Sequence, residues 1–186
     1  MLSSLLVLAI LVAGGLYARN MMREKDEQPR SGMTEEQIKQ KWRELGFYCE
    51  LDDQKRTWTL TGSRAGLLYF PDLLLGYVND PANAIDGTHK HYGPYGSLEL
   101  VTWPQAGFDS QAIRGSLAAL THLAELVEVK LASAEPGSPI PIREEFAPDS
   151  RYTLLLDVRA DGFDPASVDS EHLGATVREH PKEPPK

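Results

Sequence analysis

DSQAIRGSLAALTHLAELVEVKLA, residues 109 to 132, carries the clearest periodicity in the chain. Ile113, Leu117, Leu120, Ala124, Val127 and Leu131 recur at spacings of four, three, four, three and four. That pattern places them on one stripe of a helix, capped at Asp109 or Ser110. His122 falls beside the stripe. The run is too short for a coiled-coil seam, which predicts a helix packed across a sheet.

Strands flank it in sequence. SLELVTW, residues 97 to 103, is a strand ended by Pro104. FYCELDDQKRTWTLTG alternates with period two, setting Phe47, Cys49 and Leu51 on one side of a first strand and Trp58 and Leu60 on one side of a second. Asp52 to Lys55 supply the turn. RYTLLLDVR is continuously apolar in its middle, as a central strand is. TEEQ at 34 to 37 is a capping box for a shorter entry helix carrying Ile38, Trp42 and Leu45, with Gly46 as its stop. AGLLYFPDLLLGYV, residues 65 to 78, is apolar without a clear period and is split by Pro71; it reads as interior, or as a binding patch where exposed. AEPGSPIPI is a proline-rich loop. The expectation is an α+β domain over residues 33–175, a mostly antiparallel sheet of four or five strands with one long and one shorter helix.

Residues 2 to 18, LSSLLVLAILVAGGLYA, contain no charge and are followed by Arg19, Arg23 and Lys25. Seventeen residues at about 1.5 Å each reach roughly 26 Å, the short end of a membrane span. The segment is expected to be a single transmembrane anchor with Tyr17, Arg19 and Arg23 at its flank. Basic residues on that side place the following domain in the cytoplasm. The alternative is a secretory signal cut in the small residues at 13 to 15, leaving an exported chain that begins at Leu16. Residues 19–32 have linker composition, and residues 176–186 have too little apolar content to order themselves.

The chain has 186 residues, 41% of them hydrophobic, and a formal net charge of −8. One ordinary domain with an appendage fits that length. The acidic balance excludes a nucleic-acid binder and suits a basic protein partner. Cys49 is the single cysteine, so neither an intrachain disulfide nor a cysteine-built zinc site can form.

DGTHKHYGPYGS, residues 86 to 97, is the one stretch that invites chemistry. His89 and His91 stand two apart, as two metal ligands on a strand would, with Asp86 as a third donor. The pair resembles the start of the His-x-His-x-Asp-His motif of the metallo-β-lactamase fold, but Gly93 and Pro94 stand where that family has Asp and His. Gly87, Gly93, Pro94 and Gly96 favour a sharply bent loop. The stretch therefore reads as a loop without a metal, with His89, His91, Tyr92 and Tyr95 as partner-binding residues. Trp58, Trp103, Tyr92 and Tyr95 suit an interface or a core equally. Asp157, Asp161, Asp164 and Asp169 lack the spacing of a calcium loop and read as solvated turn carboxylates. There is no nucleophile elbow and no phosphate loop, and Cys49 sits on the inward side of its strand. The composition and motifs together lead to a membrane-anchored, non-enzymatic protein-binding module without cofactor, such as a bacterial immunity-type inhibitor of a toxin or an accessory subunit of a membrane complex. The alternative is a membrane-anchored metal-dependent hydrolase on the His89/His91 loop.

Overall fold

The computed structural model describes residues 33–169. The segment expected to be an anchor, with Tyr17, Arg19 and Arg23 at its flank, residues 19–32 expected as a linker, and residues 170–186 lie outside the described residues. Among those described, no helix is long and apolar enough to cross a membrane.

Helix α1 (Glu35–Leu45) opens on the capping box. The Thr34 hydroxyl accepts from the Gln37 N–H at 3.3 Å, and the Gln37 side chain accepts from the Thr34 N–H at 2.8 Å. Gly46 ends it in the left-handed region, φ 85°. Ile38 and Trp42 are buried. The indole of Trp42 donates to Asp169 at 2.7 Å, and Arg43 makes a two-pronged contact with Asp164. Asp169 is thus a buried partner, not the solvated turn carboxylate its surroundings in sequence suggest. A turn composition says where the chain bends and nothing about what packs on the bend.

Strand β1 (Tyr48–Asp52) and β2 (Thr57–Ser63) form the expected hairpin. Its turn is tied by the Lys55 N–H donating to the Asp52 carboxylate at 2.9 Å. The sheet is mixed: its outer pairs are antiparallel, but β8 (Thr153–Arg159) pairs with β2 in parallel over seven register positions. A short β7 (Ile140–Pro141) closes the order β1-β2-β8-β7. The central place expected for β8 is where it lies, with Leu154, Leu156 and Val158 fully buried.

A second, separate sheet holds β3 (His89–Tyr92), β4 (Leu98–Thr102), β5 (Gly107–Phe108) and β6 (Ile113–Gly115) in the order β3-β4-β6-β5. It too is mixed, with β4 parallel to β6. The architecture is therefore α+β with two small mixed sheets in place of one. Strands of two or three residues carry too little alternation to be seen in sequence, and β5 and β6 were hidden for that reason.

The long helix, α4 (Leu117–Ala132), begins seven residues or so later than Asp109 or Ser110. Ser116 is its cap, accepting from the Ala119 N–H at 3.2 Å. Asp109 instead caps a tight turn, accepting from the Gln111 and Ala112 N–H groups at 2.9 and 3.0 Å. Ile113 belongs to β6 and is buried there; its agreement with the helical spacing is a coincidence of two elements facing one core. Leu120, Ala124, Val127 and Leu131 are buried as expected, joined by Leu123.

Residues 65–78 resolve into α2 (Arg64–Leu67) and α3 (Tyr69–Val78). Pro71 is in the first turn of α3, where a missing N–H leaves no bond unmade. Phe70, Leu74 and Tyr77 are fully buried, whereas Leu68 and Tyr69 at the junction are exposed.

Candidate functional site

The stretch 86–97 is not simply a loop. Its centre is strand β3, antiparallel to β4 with His89 opposite Val101, Lys90 opposite Leu100, His91 opposite Glu99 and Tyr92 opposite Leu98. Four residues flanked by glycines do not read as a strand in isolation; the pairing with β4 makes them one.

A buried polar clamp sets where β3 begins. The Tyr77 hydroxyl donates to the Thr88 carbonyl at 2.8 Å and accepts from the Thr102 N–H at 3.1 Å. The Thr102 hydroxyl donates to the Asn83 carbonyl at 2.6 Å, and the Asn83 amide to the Tyr77 carbonyl at 2.8 Å. Backbone bonds from Gly87 N–H to Thr102 and from Thr102 N–H to Thr88 continue the ladder. Removing the Tyr77 hydroxyl deletes its bonds while Thr88 and Thr102 keep one to each other, a loss of about 0.5–1.5 kcal/mol for a typical hydrogen bond. Tyr77→Phe is expected to lower stability by about 1 kcal/mol, read as a lower urea midpoint with an unchanged slope.

Alternate residues of a strand share a face, so the register sorts the side chains. Tyr92 and Lys90 stand over Leu98 and Leu100, which belong to the main core. The Lys90 ammonium is 5.7 Å from the centre of the Tyr92 ring. Burial, then the neighbouring Tyr77 and Asp80, hold the Tyr92 phenol well above its usual range. His89 and His91 share the other face with Glu99 and Val101. Their rings meet edge to face, centres 5.4 Å apart. A nitrogen from each and a carboxylate oxygen of Glu99 lie within 4.8 Å of one another. Glu99 is buried and both histidines are half-buried.

The turn that returns the chain is built closely against the site. Gly93, Tyr95 and Gly96 have φ of 76°, 59° and 63°. A methyl group on Gly96 would stand 3.2 Å from Nδ1 of His91, so the bare backbone lets that side chain approach the turn closely. Tyr95 packs on the core edge, and burial raises its phenol, with Asp169 adding to the effect.

Of the residues singled out in sequence, the structure brings His89 and His91 together and puts Tyr92 on the opposite face. Tyr95 sits in the turn between the strands. Asp86 is exposed and outside the cluster; the carboxylate beside the imidazoles is that of Glu99. The signal for Glu99 was present. With SLELV read as a strand, folding HKHY back upon it sets Glu99 opposite His91. Reading 86–97 as one bend concealed that pairing. Cys49 is no part of the cluster: its thiol points at the Ser97 carbonyl, 3.8 Å away, and burial pushes it far up, which makes it inert. Chemically, two imidazoles and a carboxylate can hold a divalent cation or share a proton. No protein-family model, curated protein or solved structure matches the chain.

Proposed function

We propose that this chain is a non-enzymatic protein-binding module, held at the cell membrane by residues 2–18 with its folded domain on the cytoplasmic side. The observation that carries the binding role is the edge formed by β3. It stands at the end of the second sheet's order, with β4 as its one strand neighbour among the described residues. Immediately before it, Ile85 exposes 71% of its surface, the most of any large apolar side chain described. An edge strand offers its peptide groups for pairing with another chain, and an adjacent exposed aliphatic group supplies the apolar anchor such a contact needs.

The acidic balance of −8 favours a basic partner, speeding encounter in a way that weakens with salt. An uncharged run of membrane-spanning length followed by Arg19 and Arg23 supports the tether and its orientation. An immunity-type inhibitor of a toxin, or an accessory subunit of a membrane complex, has these attributes: a small acidic domain, a single anchor and no reaction of its own.

The test is site-specific photocrosslinking of the full-length protein in its native membrane. A photoreactive residue at Ile85 or Lys90 is expected to give one discrete adduct that fades as salt is raised. The same residue at Gln54, exposed in the β1–β2 turn, is expected to give none. Equal labelling from Gln54, or no adduct from the β3 edge, overturns the reading.

A further inference from the structure

We propose that His89, His91 and Glu99 bind one divalent transition-metal ion, zinc in class. The site goes beyond the protein-binding role and does not depend on it.

Three observations support it. The first is placement: a direct cross-strand pair, His91 and Glu99, with His89 two residues along on the same face, gathers three donor atoms within 4.8 Å. Around a zinc ion at about 2.1 Å, tetrahedral ligand atoms lie roughly 3.4 Å apart, so donor atoms within 4.8 Å of one another have to draw in by up to about 1.4 Å, within the reach of their χ rotations.

The second is the state of the groups themselves. Glu99 is 93% buried, being 7% exposed, and among the described residues no hydrogen bond or ion pair reaches its carboxylate. Across from it, Nε2 of His91 is buried with no hydrogen-bond partner. A carboxylate and an imidazole nitrogen set side by side, each without a bonding partner, leave polar capacity unused in the fold. A cation between them satisfies both.

The third is orientation. Nδ1 of His89 lies 3.4 Å from the Gly87 carbonyl, which can only accept; a proton held on Nδ1 by that contact presents Nε2 as the metal-binding nitrogen. Backbone carbonyls orient metal-bound histidines in this manner. On the other ring, the missing side chain of Gly96 leaves His91 room to settle.

The donor set decides the class. Imidazole nitrogen with one carboxylate suits zinc and its divalent neighbours such as cobalt and nickel; calcium and magnesium require oxygen ligands, and copper(I) prefers the thiolate or thioether that the set lacks. Three protein ligands leave one tetrahedral position for water or an incoming donor, on the side where the two histidines are half-exposed.

The experiment uses full-length protein in detergent, stripped by a chelator and then titrated with zinc and, separately, with cobalt. One ion per chain is expected, with the strong visible absorption of tetrahedral cobalt. His89→Ala, His91→Ala and Glu99→Gln are each expected to weaken binding at least tenfold. His122→Ala, an exposed histidine outside the cluster, leaves it unaltered. Because Glu99→Gln keeps the size and shape of the side chain, its metal-free melting temperature is expected to match the parent's, which separates lost binding from lost folding. No zinc bound at micromolar concentration, or binding that survives both Glu99→Gln and His91→Ala, overturns the proposal and leaves a proton shared by His91 and Glu99 as the occupant. No partner protein takes part, so this result and the crosslinking result stand or fall separately.

Discussion

Leu120→Asp is expected to abolish cooperative unfolding altogether, while His122→Ala two residues on melts with the parent. Leu120 is fully buried at the end of the first turn of α4, and its terminal carbon lies 3.7 Å from where a side chain on Gly115 of β6 would begin. It therefore joins the long helix to the second sheet. Exchanging it for aspartate deletes a buried aliphatic group, about 2–5 kcal/mol for a large-to-small change, and places a carboxylate where no partner is waiting, which costs several kcal/mol more. Together these reach the whole stability of an ordinary domain, about 5–15 kcal/mol. His122 is exposed, and substitutions of that kind stay within about 0.5 kcal/mol. Thermal melts followed by near- and far-ultraviolet dichroism check both. A cooperative transition in Leu120→Asp near that of the parent means that the stripe does not face the core.

That contrast between neighbours was legible in the sequence because it rests on local periodicity. Leu120, Ala124, Val127 and Leu131 repeat at the helical period, and the structure buries all four. The capping box at Thr34 and Gln37 was legible for the same reason, since both partners lie within one turn. The helix start was not. Asp109 and Ser116 are equally good cap residues, and what separates them is that the residues between belong to a tight turn and to β6. Long-range pairing is a further step removed. The parallel match of β2 with β8 joins residues about a hundred apart, and nothing in either segment specifies its neighbour; the division into two sheets followed from such choices. The candidate site shows both cases at once. His89 and His91 are visible as a pair, but Glu99 acquires its meaning only through the register that sets it opposite His91.

A second pair of substitutions, both glycine to alanine, is expected to move stability in opposite directions. In Gly66→Ala, a methyl group on the short helix α2 would stand 2.1 Å from the carbonyl oxygen of Gly46, the residue that ends α1. No rotamer relieves that contact, because both parties are backbone. A side chain on Gly46 would in turn meet the Gly66 carbonyl at 2.9 Å, so the two glycines let α1 and α2 touch main chain to main chain. Forcing them apart disturbs the Gly46 cap, whose N–H donates to Trp42 at 3.1 Å, and costs about 3 kcal/mol, the upper end for overpacking. Gly76 is also helical, exposed in α3, but a methyl group there would have nothing within 4 Å of it. At that position alanine removes backbone freedom from the unfolded chain at no steric cost, and a gain of about 0.4–1 kcal/mol is expected. Urea titrations of the two variants against the parent decide it. A lower midpoint for Gly66→Ala with a higher one for Gly76→Ala supports the close approach of α1 and α2. Equal gains from both mean that the two helices do not meet. The consequence reaches the site, since Leu45 and Trp42 of α1 lie 3.0 and 3.7 Å from the position a side chain on Gly93 would take. The helix that Gly66 admits is the one bracing the turn between β3 and β4.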